Sequence, residues 1–128
     1  MFTLTFDHYT IKVNNLETSA DFYSSVLGLK QIENRTQKEY IKWFSVGEHS
    51  ELHIVEGKTE DIQTNIGVHL ALRISNFEKF LTHLKKHNIT LHNSKGVRDR
   101  ITTRADGIQQ VYFQDPDGYW IEVNNAEV

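Results

Sequence analysis

Apolar and polar residues alternate along the first clear strand-like stretch, "HYTIKV" at residues 8–13. The three apolar residues of such a strand share one face, and the residues between them share the other. Asn15 then stands where an N-cap is needed before an amphipathic stretch that runs to about Leu27. Gly28 suits the left-handed position that ends a helix. The pattern therefore predicts a strand followed by a helix.

The same pattern returns in the second half of the chain. Residues 7–17, "DHYTIKVNNLE", match residues 68–78, "VHLALRISNFE", at a constant offset of 61. The first twelve residues of 43–55, "WFSVGEHSELHIV", match residues 112–123, "YFQDPDGYWIEV", at an offset of 69. Self-similarity of this kind indicates two copies of one supersecondary unit. Each copy is predicted to run strand, helix and then three strands.

The second helix is predicted from the stretch "NFEKFLTHLKKH", which Ser75 and Glu78 would open as a capping box. Its apolar residues recur at i, i+3, i+4 and i+7, at Phe77, Phe80, Leu81 and Leu84. The remaining strands are expected near residues 30–34, 40–46, 51–55, 90–93, 109–114 and 119–124. The polar residues 95–107 have no clear period and are interpreted as a loop.

Four of the predicted strands have one strongly apolar face and one polar face that bears a single histidine or glutamate near its middle. These residues are His8, His53, His69 and Glu122. A lone histidine on a strand is more often a hydrogen-bonded or surface residue than a metal ligand. Here the two offsets relate His8 to His69 and His53 to Glu122, so each module supplies two residues at matching positions. Three imidazoles and a carboxylate suit a divalent cation, Zn, Ni, Co, Mn or Fe(II), and the symmetry favours a metal site.

Composition narrows the class of protein. The 128 residues suffice for one domain with a real core but not for two independent domains. A net charge of −3 argues against a nucleic-acid surface, and the lack of cysteine excludes disulfides, thiolate metal sites and a cysteine nucleophile. No apolar run is long enough to span a membrane, and the first residues do not resemble an export signal. We therefore expect a cytoplasmic protein.

The chain resembles the vicinal oxygen chelate superfamily, the glyoxalase, bleomycin-resistance and dioxygenase group, which is built from paired βαβββ modules. The resemblance rests on "DHYTIKVNNLETSADFYSSVLGL", "VHLALRI" and "VYFQDPDGYWIEV". It covers essentially the whole chain as one domain, with modules at about residues 1–58 and 66–128. It implies an α+β fold in which two βαβββ modules form a cupped eight-stranded mixed sheet with helices on its outer face.

Within the superfamily, the sequence is similar to glyoxalase I-like proteins, the lactoylglutathione lyases. Carried over residue by residue, this resemblance implies that His8, His53, His69 and Glu122 hold the metal. Family members chelate two neighbouring oxygens of a small substrate and stabilise an enediolate or oxyanion. We therefore expect a metal-dependent lyase or isomerase. Glu122 is the favoured catalytic residue for proton transfer, since a carboxylate exchanges coordination more readily than a hydrogen-bonded ring.

Three positions depart from the glyoxalase I pattern. His53 stands where the ligand is usually a glutamate, in an "ELT" context. Gly57 replaces an asparagine that helps to hold glutathione, and Lys12 replaces an arginine of the first strand. These departures leave the use of glutathione open, while they do not weaken the metal prediction.

Other residues are candidates for contact with the substrate. An apolar wall is expected from aromatic residues, and an anionic group of the substrate could be held by arginines of the long loop. The candidates are Trp43, Tyr112 and Trp120 for the wall, and Arg98, Arg100 and Arg104 for the anion. The remaining histidines, His49, His83, His87 and His92, are interpreted as surface residues.

Two other functions compete with the metal-dependent lyase. One is a non-catalytic protein that binds a small molecule and confers resistance, although binding-only members of the superfamily tend to lack the ligands. The other is an Fe(II) extradiol-type dioxygenase that uses His8, His69 and Glu122, in which His53 would occupy a position that dioxygen needs. Exposed sheet edges predict a homodimer, and the expected partner is a small substrate rather than a nucleic acid or a membrane.

Overall fold

The computed structural model describes residues 1–127 of the chain. The chain divides into two compact units, Met1–Ile62 and Gln63–Val128. Each unit contains one helix and a four-stranded mixed sheet, in the element order βαβββ. The predicted α+β class and the repeated βαβββ module are confirmed.

The first module consists of β1 (His8–Val13), α1 (Leu16–Ser25), β2 (Lys30–Ile32), β3 (Ile41–Val46) and β4 (Ser50–Glu56). Its sheet has the order β1-β4-β3-β2, in which only β1 and β4 run parallel. The second module consists of β5 (His69–Arg73), α2 (Phe77–Lys86), β6 (Thr102–Thr103), β7 (Gln109–Gln114) and β8 (Trp120–Asn124). Its sheet repeats the pattern in the order β5-β8-β7-β6.

The parallel strand pairs have the same register in both modules. His8 pairs with Glu51, and His69 pairs with Trp120, which are positions related by the two sequence offsets. Two residues further along each strand, His53 pairs with Thr10 and Glu122 pairs with Ala71. The sequence repeat is therefore a repeat of backbone hydrogen bonding as well.

Helix α1 begins at the predicted cap. Asn15 Oδ1 accepts a hydrogen bond of 3.0 Å from the Thr18 amide, and Glu56 Oε2 accepts one of 2.8 Å from the Leu16 amide. These two acceptors satisfy amides that the helix itself leaves unpaired. The helix ends at Ser25, two residues before the predicted end, and Gly28 has the expected positive φ of 66°.

The predicted capping box of α2 is wrong. Asn76, rather than Ser75, is the N-cap, and its Oδ1 accepts a hydrogen bond of 3.1 Å from the Lys79 amide. Because Phe77 is the first helical residue, Asn76 is the residue whose side chain reaches the amides of the first turn. The apolar stripe packs inward through Phe77, Phe80 and Leu84, and the ring of Phe80 lies 6.0 Å from that of Phe113.

The second strand of the second module lies elsewhere than predicted. Within residues 90–93 only His92 forms bridges, one to Tyr112 and one to Arg98. The chain turns after it, because Asn93 exchanges backbone hydrogen bonds with Gly96 and Val97. The short strand β6 instead comes from the stretch interpreted as a loop, where Thr102 and Thr103 pair with β7.

Each module has its own apolar interior, which includes Tyr23, Phe44 and Ile54 in the first and Val111, Phe113 and Ile121 in the second. Both helices are ten residues long. Within residues 1–127, no helix has the length and apolar character needed to cross a membrane.

Candidate functional site

His69 and Glu122 face one another on neighbouring strands of the second module. The Nε2 atom of His69 lies 3.1 Å from Glu122 Oε1. The other ring nitrogen, Nδ1, lies 2.8 Å from the backbone carbonyl oxygen of Ile66, just before β5. Since a carbonyl only accepts, Nδ1 carries a proton, and in a neutral ring Nε2 presents its lone pair to the carboxylate. In that neutral form two acceptors meet, an arrangement that a cation between them would stabilise, whereas a protonated ring would itself donate from Nε2 to the carboxylate.

The carboxylate of Glu122 is buried and held at both oxygens. Tyr112 Oη donates to Oε1 at 2.8 Å, and Asn124 Nδ2 donates to Oε2 at 2.7 Å. Burial alone would raise the pKa of Glu122, but hydrogen bonds from Asn124, Gln110 and Tyr112, together with the neighbouring His69, lower that pKa below its usual value. Glu122 is therefore an anion near neutral pH, as a carboxyl group must be in order to coordinate a metal.

Tyr112 shares this environment with Glu122. Its burial, and then its hydrogen bond to the carboxylate, raise the pKa of Tyr112 to about 12. The phenol therefore remains a proton donor toward Glu122 across the ordinary pH range. Its ring also lies edge-on to the ring of His69, with centroids 5.1 Å apart.

Three rings form a stack on the corresponding face of the first module. Trp43 lies flat against His53, with ring centroids 4.0 Å apart, and His53 lies against His8, with centroids 4.1 Å apart. The register places Trp43 on β3 directly beside His53, whereas His8 lies two residues before Thr10, the β1 partner of His53, and stacks on His53 diagonally. The guanidinium of Arg35 covers the outer face of Trp43 at 4.6 Å from the ring centroid.

Each histidine of the stack contacts a carboxylate nearby in sequence. His8 Nδ1 lies 2.6 Å from Asp7 Oδ2, and this hydrogen bond lowers the pKa of the exposed Asp7. His53 Nε2 lies 2.9 Å from Glu51 Oε1. The Asp7 contact leaves His8 Nε2 available for a cation, whereas the Glu51 contact competes with coordination through Nε2 of His53.

The predicted metal ligands thus come together in pairs, His8 with His53 and His69 with Glu122. Within the described chain, no group of three or more histidine or acidic side chains is arranged to hold a metal ion. The first pair offers two ring nitrogens and the second offers a ring nitrogen and a carboxylate oxygen, which are donor types that Zn²⁺ and related divalent cations accept.

The aromatic residues predicted to line a substrate site lie beside these pairs. Trp43 stacks on His53, Tyr112 is bonded to Glu122, and Trp120 is half-buried two residues before Glu122. The three arginines predicted to hold an anionic group of the substrate do not form a cluster of free, buried cations. Arg104 is paired with Asp106, and both Arg98 and Arg100 are exposed.

Sequence reasoning missed several residues around the two pairs. The dipeptide Asp7–His8 and the Glu51–His53 spacing were visible signals, since neighbouring carboxylates often orient ligand histidines. The interpretation of His92 as a surface residue is wrong. This histidine is half-buried, bridges to Tyr112 and lies edge-on to Trp120, with ring centroids 5.0 Å apart.

Two of the departures from the glyoxalase I pattern are in contact with each other. A Cβ atom added at Gly57 would lie 3.3 Å from Lys12 Cδ, and the Cγ and Cε atoms of that lysine are also close. The lysine stem therefore packs over the glycine, in the space that a side chain at residue 57 would enter. Gly57 and Lys12 form one local arrangement rather than two unrelated changes.

Comparison with known proteins identifies the family of the chain. The model of the Glyoxalase/Bleomycin resistance protein/Dioxygenase superfamily matches residues 5–123. An uncharacterized protein of Bacillus subtilis, YwbC, is 29% identical over 122 residues, covering 91% of this chain and 93% of that relative. A lactoylglutathione lyase of Escherichia coli O157:H7 is 26% identical over 130 residues, covering 91% of this chain and 88% of that relative.

Similarity also extends to solved structures. The oxidase ChaP-H2 superposes with a TM-score of 0.81 at 19% identity, covering 98% of this chain and 96% of that one. At this identity the likeness shows the fold alone, and function has to be argued from the site. With a family match over nearly all of its length, the chain belongs to the Glyoxalase/Bleomycin resistance protein/Dioxygenase superfamily.

Proposed function

We propose that this protein is a metal-dependent enzyme of the glyoxalase-like kind, acting as a lyase or isomerase on a small substrate with two neighbouring oxygens. His8 and His53 from one module, with His69 and Glu122 from the other, would hold the divalent metal. The pairs would combine either within one chain or across two chains of a homodimer. The observation that carries the proposal is the approach of His69 Nε2 to Glu122 Oε1 at 3.1 Å.

This contact supports a cation site because of what surrounds it. The Ile66 carbonyl fixes the proton of His69 on Nδ1, and hydrogen bonds keep Glu122 ionised. A ligand histidine that bonds a carbonyl through its second nitrogen is the usual arrangement at metal sites. Without a cation, a neutral histidine beside a carboxylate would be expected to direct a ring N–H, rather than a lone pair, toward that carboxylate.

The first module supports the same site less directly. His8 has a carboxylate on Nδ1, as ligand histidines commonly do, so that Nε2 is the coordinating atom. His53 would have to release Glu51 in order to coordinate through Nε2. Trp43 packs on one face of the His53 ring and His8 on the other, so the plane of the ring is fixed. Nε2 of His53 could therefore exchange Glu51 for a metal without a large rotation of the ring.

A bound metal would polarise the two substrate oxygens and stabilise the negative charge that develops on them. The residues of the chain supply the remaining chemistry. Glu122 takes a proton from the substrate carbon and returns it to a neighbouring position, because it is an anion with two oxygens. Tyr112 and Asn124 hold that carboxylate in place, each at a different oxygen.

The substrate need not be a glutathione adduct. The stem of Lys12 fills the space beside Gly57, where the resemblance places an asparagine that helps to hold glutathione. We infer that the substrate shares the vicinal oxygens of a hemithioacetal rather than its glutathione moiety. Hemithioacetals, epimerisable acyl thioesters and catechols are the compounds to screen.

The test is proton exchange by the Co²⁺-loaded or Ni²⁺-loaded protein in D₂O, followed by NMR on each of the three compound classes. Wild-type protein is expected to exchange or transfer the proton next to a carbonyl in at least one class. The variant Glu122→Gln is expected to lose at least about 100-fold in rate, since general base catalysis contributes about 10²–10⁴-fold. Full turnover in Glu122→Gln would remove Glu122 from this role, and catechol cleavage with Fe(II) would favour the dioxygenase.

A further inference from the structure

A row of side chains crosses the face of the second module from β5 outward. Glu122 pairs with Ala71 on one side and with Tyr112 on the other, and Tyr112 pairs with His92. Residues that pair directly in neighbouring strands project from the same face of a sheet. His92 therefore lies on the face that bears Glu122, at the far end of the row.

The Nδ1 atom of His92 is buried and has no hydrogen-bond partner within residues 1–127. Buried polar atoms in native proteins almost always have a partner, and one without a partner lowers the stability of the fold. The other members of the row differ in this respect, because Tyr112 donates to Glu122 and Glu122 accepts from Asn124 as well. Among the polar side chains of this row, only His92 has a buried atom that lacks a hydrogen-bond partner.

Trp120 lies against the ring of His92. Its ring lies edge-on to that of His92, with an interplanar angle of 81°, and the side chain is half-buried. Trp120 is two residues before Glu122 on β8, so both side chains project from the same face. This half-buried indole is the neighbouring group that would have to move for His92 to meet a molecule bound beside Glu122.

We propose that His92 is a substrate-contacting residue that determines specificity, and that its Nδ1 atom hydrogen-bonds a polar atom of the bound molecule once Trp120 has moved aside. The ligand class is a small planar molecule, with vicinal oxygens toward Glu122, a flat part against Trp120 and a further polar group within reach of His92. This inference rests on the proposed function, and it adds to it a second recognition point on the second module.

The test uses benzohydroxamate, a planar compound with two adjacent oxygens, titrated by calorimetry into the Co²⁺-loaded protein. Thermal denaturation of the metal-free protein is measured in parallel. His92→Phe is expected to weaken benzohydroxamate binding about 10-fold. The same variant is expected to raise the melting temperature by about 2–6 °C, because it removes the unpaired buried nitrogen. The control His49→Phe, at a side chain 90% exposed, is expected to change neither quantity.

A melting temperature that is unchanged or lowered would show that the nitrogen carries no cost and would overturn the proposal. A raised melting temperature with unchanged affinity would overturn it too, since His92 would then be a purely structural group. Should His92→Phe not fold, His92→Gln, which keeps a polar atom, is expected to retain affinity within about threefold. A loss as large as 10-fold in His92→Gln would contradict the proposal. Wild-type protein that binds no Co²⁺ would instead refute the proposed function and this inference with it.

Discussion

Tyr112 on β7 donates a hydrogen bond of 2.8 Å to Glu122 on β8, its direct cross-strand neighbour. Both side chains are buried, with 5% of each residue exposed. A buried carboxylate requires such donors, and Tyr112 keeps its proton because burial and the carboxylate raise its pKa to about 12. The hydrogen bond from Tyr112 therefore stabilises the charged form of Glu122, the residue proposed to bind the metal and to transfer the proton.

Replacing Tyr112 with phenylalanine should leave Glu122 Oε1 short of a donor. We expect Tyr112→Phe to lower the free energy of unfolding of the metal-free protein by about 1.5–3 kcal/mol, the range for a hydrogen bond to a charged group. Denaturant titration measures the change. Tyr40→Phe, at a residue 46% exposed, is the control and should cost less than about 0.5 kcal/mol. Equal effects of the two substitutions would show that the Tyr112 hydroxyl does not hold the carboxylate.

The lowered pKa of Glu122 predicts a dependence of stability on pH. Burial opposes the shift, and hydrogen bonds from Asn124, Gln110 and Tyr112 outweigh it, so the folded protein binds a proton at Glu122 less readily than the unfolded chain does. The contribution is therefore fully present above the ordinary glutamate pKa of 4.5 and is lost as the pH falls through the lower, folded value. The stability difference between metal-free wild type and Glu122→Gln should shrink as the pH falls from about 4.5 through that lower value. A difference that stays constant down to acid unfolding would contradict the shift.

The stack of Trp43 on His53 predicts that a change of Trp43 will alter both the stability of the protein and its affinity for a metal. Trp43→Leu removes the ring that fixes the plane of His53, and we expect a loss of about 2–4 kcal/mol in unfolding free energy. Trp43→Phe keeps an aromatic face and should cost less than half as much. Cobalt affinity, followed by its visible absorption, should fall in Trp43→Leu and remain near the wild-type value in Trp43→Phe. Equal cobalt affinity in the two variants would mean that the stack does not orient His53.

The N-cap of α2 offers a test of the structure itself. Asn76→Ala should cost about 1 kcal/mol, since it leaves the Lys79 amide without its acceptor. Ser75→Ala should change the unfolding free energy by less than about 0.5 kcal/mol. Thermal or denaturant unfolding distinguishes the two variants, and the reverse order would restore the capping box that the sequence pattern suggested.

Much of the fold was predictable from local pattern. The alternation in residues 8–13 and the match of "HYTIKV" with "HLALRI" identified the modules and the polar face of each strand. Period and parity are properties of neighbouring residues, so one sequence suffices to determine them. The same reasoning placed His69 and Glu122 on polar faces, and the structure brings them within 3.1 Å.

The predictions failed where the outcome depends on small differences or distant partners. Ser75 and Asn76 are both good caps, and the choice is decided by where the backbone becomes helical. The strand at Thr102 has two residues, too few to show any period, and it exists through its pairing with β7. The position of His92 depends on a bridge to Tyr112, twenty residues away in the chain. Such contacts leave no local signal in a single sequence.

The most direct test of the central claim is the metal content of the purified, tag-free protein by elemental analysis, with Glu122→Ala and His53→Ala beside it. The exposed His49→Ala serves as the control. We predict about one divalent metal per site of four ligands in the wild type and in the control, and its loss in both site variants. No metal in the wild type, together with no thermal shift on adding Zn²⁺, Ni²⁺, Co²⁺ or Mn²⁺, would contradict the account. His8, His53, His69 and Glu122 would then be structural polar residues of a binding protein.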